Sequence, residues 1–151
     1  MNYKEALKYS MDLCSKQERC RSEIHEKLLK AGLNESSIDK VLSELEKENF
    51  ISETRYAMMF ASDKLRLNRW GRIKIRYMLY QKNIPGEIID RALNELNMEE
   101  YEEVLRGELE KKKGTIRSGT PWEVRNKLFR FAGQRGFESE VILKILDSEL
   151  S

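Results

Sequence analysis

Residues 28–45, LLKAGLNESSIDKVLSEL, decide the fold of this chain because the same pattern returns further along it. An offset of 51 residues aligns the stretch with LYQKNIPGEIIDRALNEL at 79–96, and a further offset of 53 aligns it with AGQRGFESEVILKILDSE at 132–149. In each copy a short stop follows a helical segment, and apolar residues then recur at helical spacing. Such self-similarity is typical of repeat proteins, whose units stack to bury a shared core.

Helical spacing covers almost the whole chain, and the alternation typical of β-strands is absent. Gly32, Asn83 and Gly136 occupy equivalent places in the three copies. We predict that they end the second helix of each unit, because glycine and asparagine adopt left-handed backbone most readily. The predicted fold is all-α, with three tandem three-helix repeats in an elongated, curved array. The predicted units are residues 1–51, 52–97 and 98–151.

The composition places the chain among globular proteins. Of its 151 residues, 40% are hydrophobic, which is too many for a disordered chain, and 36% are charged, which predicts a thin core. No apolar run approaches the length of a membrane span, and no signal-peptide pattern opens the sequence. We therefore expect a cytoplasmic protein that does not bind membranes.

The residues that usually carry catalysis or bind metals are scarce. Cys14, Cys20 and the single histidine, His25, form a loose cluster that lacks a fourth ligand and the tight spacing of a zinc site. We interpret the two cysteines as packing residues with reduced thiols. Since the sequence has no glycine-rich phosphate loop and no nucleophile–base pair, we expect no enzyme activity, no cofactor and no metal.

The net charge of +2 conceals a segregated pattern. Residues 64–91 contain 8 lysines and arginines against 2 acidic residues, and residues 111–136 contain 8 against 1. Between them, residues 92–110 contain 1 basic residue against 7 acidic ones. A solvated helix face explains any one such run. Two basic segments at equivalent places in neighbouring units instead indicate a polyanion or an acidic protein surface as partner.

The helix predicted over residues 72–80 has two apolar faces, with Ile75, Met78 and Leu79 on one and Ile73, Tyr77 and Tyr80 on the other. The first face is predicted to be core. The second must be covered either by a neighbouring unit or by a binding partner, for which tyrosine beside arginine is well suited.

Two tryptophans, Trp70 and Trp122, each precede a second helix. Each is expected to fill the junction between helices, and Trp70 alternatively offers a ring for base stacking. Combining the basic segments with the aromatic residues beside them gives the candidate contact residues. They are Lys64, Arg66, Arg69, Trp70, Arg72, Lys74, Arg76, Tyr77, Lys111, Lys112, Lys113, Arg117, Arg125, Lys127 and Arg130.

Four stretches resemble the RecX family, bacterial regulators of the RecA recombinase: RCRSEIHEKL at 19–28, FISETRYA at 50–57, GRIKIRYML at 71–79 and KLFRF at 127–131. Their order, spacing and repetition carry the resemblance, which covers nearly the whole chain. Cys20 replaces a serine of the family pattern, Ser52-Glu53 replaces an acidic pair, Met78 replaces a glutamate and Asn83 replaces a glycine.

The resemblance implies repeats arranged like helix-turn-helix modules. It also implies a protein that binds along the groove of the RecA–DNA filament and mainly inhibits RecA, with effects on DNA repair, recombination and the SOS response. The implied partner is the RecA nucleoprotein filament, with weak binding to single- or double-stranded DNA, and we expect a monomer. No catalytic residue follows from the resemblance.

Direct binding to a duplex site by a helix-turn-helix unit is the main alternative. Against it, the third helices carry Asp39, Glu44, Asp90 and Glu95, which phosphates would repel. An adaptor for another acidic partner also remains open.

Overall fold

The computed structural model describes residues 1–149, and every regular element in that range is an α-helix. Unit one contains α1 (Tyr3–Lys16), α2 (Arg21–Lys30) and α3 (Glu35–Lys47). Unit two contains α4 (Glu53–Asn68), α5 (Arg72–Gln81) and α6 (Gly86–Asn94). Unit three contains α7 (Met98–Thr115), α8 (Pro121–Gln134) and α9 (Ser139–Glu149). Residues 150 and 151, which end the predicted third unit, lie outside the described range.

Polar side chains fix the starts of most helices. The residues before α1, α3, α4, α7 and α8 each accept a hydrogen bond from a first-turn amide; they are Asn2, Asn34, Ser52, Asn97 and Thr120. Such caps satisfy amides that have no partner within the helix. The helix starts are therefore encoded locally.

The predicted stops are confirmed by the backbone. Gly32, Asn83 and Gly136 have φ angles of 93°, 61° and 94°, in the region that disfavours most side chains. Each stop turns the chain from the second helix of its unit into the third. The same supersecondary element therefore occurs three times, as the sequence repeat predicts.

The buried side chains form two separate clusters. One belongs to unit one and includes Ile24, Leu28 and Leu45. The other runs through units two and three without interruption, and Leu79 and Leu105 are among its fully buried members. Units two and three therefore share a core, whereas unit one has its own.

Helix α5 contributes to the core with only one of its two apolar faces. Ile75 and Leu79 are fully buried, as predicted, and Met78 is half-buried. On the other face, Ile73, Tyr77 and Tyr80 are 57%, 55% and 70% exposed. No neighbouring unit covers this face in the described part of the chain, so packing between units does not explain it.

Candidate polyanion-binding surface

Units two and three meet through direct backbone contact. The amide of Gly71 donates to the carbonyl of Arg135 at 2.8 Å, and the amide of Ile73 donates to the carbonyl of Gly136 at 2.9 Å. A Cβ at Gly71 would lie 2.4 Å from the Gly136 carbonyl, and one at Gly136 would lie 2.4 Å from Lys74 Cβ. Because only glycine permits this approach, the start of α5 is locked against the α8–α9 turn.

A polar network with Tyr101 at its centre supports the same junction. The amide of Arg72 donates to the Tyr101 hydroxyl at 2.8 Å, and that hydroxyl donates to the Glu138 carboxylate. Arg72 Nε also donates to Glu138 at 2.5 Å, while its guanidinium lies 4.7 Å from the Tyr101 ring centroid. Burial raises the pKa of Tyr101 well above its ordinary value, so the hydroxyl remains a donor.

On unit two, two lysines lie against the indole ring of Trp70. The Nζ atoms of Lys64 and Lys74 are 5.1 Å and 4.6 Å from its ring centroid, and Lys64 also contacts Phe60. Trp70 is half-buried and packs on the shared core. It therefore fills the junction, one of its two predicted roles, and it also holds two cations at defined positions.

On unit three, Phe131 plays the equivalent part. Lys112 Nζ lies 5.4 Å from its ring centroid and the Arg135 guanidinium lies 5.0 Å from it. Since Arg135 precedes Gly136, which abuts Lys74, contacts run continuously from Trp70 to Phe131. We call this the basic–aromatic surface; its residues are Lys64, Trp70, Lys74, Lys112, Phe131 and Arg135.

A groove continues this surface between α7, the 116–120 loop and α8. Its volume is about 500 Å³, and we call it the unit-three groove. Its lining residues are Lys112, Thr115, Ile116, Arg117, Ser118, Lys127, Arg130, Phe131 and Gln134. Four of these are cations and none is acidic, so the groove provides a concentrated positive potential. The two predicted basic segments therefore lie side by side across the unit two–three junction. We call the basic–aromatic surface together with the unit-three groove the basic strip.

Five of the predicted contact residues have carboxylate partners within the chain. The ion pairs are Arg66–Glu100 (2.9 Å), Arg69–Glu108 (3.9 Å), Arg72–Glu138 (2.5 Å), Arg76–Asp90 and Arg125–Asp147 (2.5 Å). Other predicted cations form no such ion pair within residues 1–149. They are Lys64, Lys74 and Lys112 of the basic–aromatic surface and Arg117, Lys127 and Arg130 of the groove. The structure therefore separates structural arginines from cations available to a partner.

The remaining predicted residues lie at the margins. Lys111 and Lys113 are exposed on α7, and Tyr77 lies on the exposed apolar face of α5. Trp122 is 70% exposed, so it does not fill a helix junction as Trp70 does.

Sequence reasoning missed Phe131 and Arg135 as site residues. They are four residues apart across the end of α8, a spacing that places side chains on one helix face, and this could have identified the pair. Tyr101 and Glu138 were also missed, and no local pattern identifies them because their partner Arg72 is distant in sequence.

Elsewhere in the chain, Cys20 is fully buried and Cys14 is half-buried, and burial raises the pKa of both thiols. Residues 1–149 hold no group of three or more histidine, cysteine, aspartate or glutamate side chains placed to bind a metal. Among the helices described, none combines the length and apolar character needed to cross a bilayer.

These features define a class: an all-α protein of three tandem three-helix units with a basic strip along units two and three. Sequence models of the first, second and third three-helix domains of RecX match residues 6–45, 52–93 and 99–146. The chain therefore belongs to the RecX family, as the sequence motifs indicate. The boundaries predicted after residues 51 and 97 stay a prediction.

Named relatives agree with this assignment. The regulatory protein RecX of Clostridium beijerinckii is 31% identical over 147 residues, which cover 96% of this chain and 68% of that protein. The regulatory protein RecX of Chlorobaculum tepidum is 34% identical over 137 residues, which cover 91% of this chain and 83% of that protein.

Two crystal structures are similar in fold. One, of a regulatory protein RecX, has a TM-score of 0.88 at 25% identity and covers 97% of this chain and 73% of that one. The other, of RecX from Lactobacillus salivarius, has a TM-score of 0.89 at 21% identity and covers 96% and 94%. The predicted all-α fold of three three-helix repeats is confirmed.

Proposed function

We propose that this protein regulates a RecA-type recombinase by binding along the groove of its nucleoprotein filament, and that its main effect is inhibition. Through this it would limit recombination, DNA repair and the SOS response. It acts as a binding protein and not as an enzyme, and it works in the cytoplasm as a monomer. Membership of the RecX family supports the regulatory role.

The observation that carries the proposal is the continuous strip of cations across the unit two–three junction. Lys64 and Lys74 on unit two, and Lys112 and Arg135 on unit three, lie on aromatic rings instead of on carboxylates. Rings restrict the positions of these cations without neutralising their charge. A fixed strip of this kind suits a repeating, negatively charged partner such as a nucleoprotein filament.

The exposed face of α5 adds a second type of contact. Ile73, Tyr77 and Tyr80 are uncovered within the described chain, and Ile73 adjoins Gly136, next to the basic–aromatic surface. Tyrosine is enriched in protein–protein interfaces because its ring buries area while its hydroxyl keeps a polar partner. A filament groove presents both protein and nucleic acid, and this side of the molecule offers contacts for both.

The first test measures ATP hydrolysis by the recombinase on single-stranded DNA as this protein is titrated in. We expect the wild-type protein to reduce hydrolysis and the double variant Lys64→Glu/Lys74→Glu to do so only at concentrations higher by about tenfold or more, since charge reversal replaces attraction by repulsion. Both side chains are partly exposed, and the helices do not depend on their contacts with the Trp70 ring, so helicity should be unchanged.

The matched control is Lys4→Glu/Lys8→Glu, which makes the same charge change at exposed positions of α1, away from the strip. It should inhibit like the wild type. Binding to naked single- and double-stranded DNA is measured in parallel, at near-physiological salt, with and without the recombinase. Tight binding to a defined duplex site that the recombinase does not affect would instead support the helix-turn-helix alternative and contradict the proposal.

A further inference from the structure

The unit-three groove brings together cations from three successive elements. Lys112 comes from α7, Arg117 from the 116–120 loop, and Lys127 and Arg130 from α8. Within the described residues, the groove has no acidic lining residue and none of these four cations forms an ion pair. Four positive charges that have no carboxylate partner and surround about 500 Å³ repel one another, so the groove favours an anion.

The groove is built to contact phosphates and not bases. Phe131 is its only aromatic lining residue, and Lys112 and Arg135 already lie against that ring, 5.4 Å and 5.0 Å from its centroid. A base stacking on Phe131 would compete for the ring with these two cations, one of which, Lys112, belongs to the groove. The Thr115 hydroxyl is also engaged, because it donates to the carbonyl of Lys112 at 2.7 Å.

The size of the groove matches one strand. Its volume of about 500 Å³ lies within the range of pockets that hold drug-sized ligands, which is enough for a short stretch of a single backbone. Arginine supplies planar, bidentate donors to phosphate oxygens and lysine supplies a mobile point charge, and the groove contains two of each.

We propose that the unit-three groove binds consecutive phosphates of a single nucleic-acid strand, independently of its base sequence. This inference rests on the proposed function, because the groove is one end of the strip that is proposed to bind the filament. It assigns the contact with DNA to unit three. Binding to an isolated strand then requires no recombinase, whereas regulation requires the rest of the strip as well.

The test is fluorescence anisotropy of a labelled thymidine homopolymer with the full-length protein and no recombinase, across a series of salt concentrations. The double variant Lys127→Gln/Arg130→Gln should weaken binding by about tenfold or more at low salt. Its plot of log affinity against log salt should be shallower by about 0.7 for each phosphate contact removed. The control Lys4→Gln/Lys8→Gln removes the same charge from α1 and should change neither quantity.

A second arm replaces the homopolymer by a mixed-sequence strand and by an abasic strand of equal length. Equal affinities for all three support phosphate contact, and a large loss with the abasic strand overturns it. The inference is also overturned if Lys127→Gln/Arg130→Gln binds the homopolymer like the control. It is likewise overturned if inorganic tripolyphosphate binds as tightly as the strand, because the groove would then be a site for free polyphosphate.

The two proposals fail separately. If the groove variant keeps wild-type strand affinity while Lys64→Glu/Lys74→Glu loses inhibition of ATP hydrolysis, only the groove assignment fails. If the groove variant loses strand affinity but the wild-type protein leaves ATP hydrolysis unchanged, only the proposed function fails.

Discussion

Unit one joins unit two largely through polar contacts, whereas units two and three share a core and touch backbone to backbone. At the first junction, Arg55 Nε donates to Glu18 at 2.7 Å and Lys82 Nζ pairs with Glu23 at 3.2 Å. Cys20 is the one residue of unit one in the apolar cluster of the other two units. At the second junction, Gly71 and Gly136 bring two backbones together over a continuous apolar cluster.

The two junctions should differ in stability, because polar contacts and a shared apolar core contribute differently to the free energy of unfolding. Partly exposed ion pairs contribute little to stability, and salt screens them, whereas a shared apolar core stabilises in proportion to the area buried. Units two and three should therefore unfold together, and unit one should open more readily by itself. The basic strip lies entirely on the pair of units whose relative position is fixed, so its cations keep their spacing.

Replacing one equivalent leucine in each core tests whether the two cores are separate. Leu28 and Leu79 occupy the same repeat position and both are fully buried. Each change to alanine should cost about 3–5 kcal/mol where the core cannot collapse around the cavity. In native-state hydrogen exchange, Leu28→Ala should reduce the protection of α1–α3 alone, and Leu79→Ala that of α4–α9.

The control is Leu29→Ala, which alters an exposed leucine beside Leu28 and should change protection little. Loss of protection throughout the chain in Leu28→Ala would mean that all three units unfold as one and that the two clusters are not independent.

The contact between the backbones can be tested with a pair of glycines of almost identical conformation. Gly32 and Gly136 have φ angles of 93° and 94°, but an added Cβ meets nothing within 4 Å at Gly32 and lies 2.4 Å from Lys74 Cβ at Gly136. Alanine at Gly32 should cost about 1–2 kcal/mol for the backbone conformation alone. Alanine at Gly136 should cost about 1–3 kcal/mol more, because the junction must open.

The measurement is chemical denaturation of both variants under the same conditions. Equal losses of unfolding free energy would show that the two units are not held at contact distance. A larger loss at Gly32 would show that the unit-one turn tolerates an added side chain less well than the contact between units two and three does.

The sequence predicts what depends on local spacing. Gly32, Asn83 and Gly136 are identifiable as stops, and Ile75 and Leu79 as core, because helix ends and helix faces involve residues only a few positions apart. The three-unit fold follows from these patterns.

Long-range pairing was not predictable in the same way. Arg72 reads as a contact residue in the basic segment, but it pairs with Glu138, 66 positions away. Arg76 and Arg125 likewise have carboxylate partners on other helices. Composition identifies the basic segments, but which cations remain available depends on how the helices pack. Only the structure separates the lysines on aromatic rings from the arginines in ion pairs.

The smallest predicted effect concerns the polar junction and depends on pH. The amide of Arg21 donates to Glu53 at 2.9 Å between units one and two. Burial raises the pKa of Glu53 above its ordinary value of 4.5, and the Arg21 hydrogen bond and charge oppose that rise only in part. The folded protein therefore binds this proton more tightly than the unfolded chain. The stabilisation from this group is complete below pH 4.5 and is lost as the pH rises through the raised pKa.

Glu53→Gln keeps an oxygen for the Arg21 amide but removes the charge. We expect it to melt slightly higher than the wild type at neutral pH, by less than about 1 kcal/mol in unfolding free energy, and to lose that advantage below pH 4.5. Glu110→Gln, an exposed change on α7, is the control and should show no such gain. A variant less stable than the wild type at neutral pH would show that the Glu53 charge stabilises the junction. The contrast between a polar junction that buries an unfavourable charge and a well-packed apolar junction would then weaken.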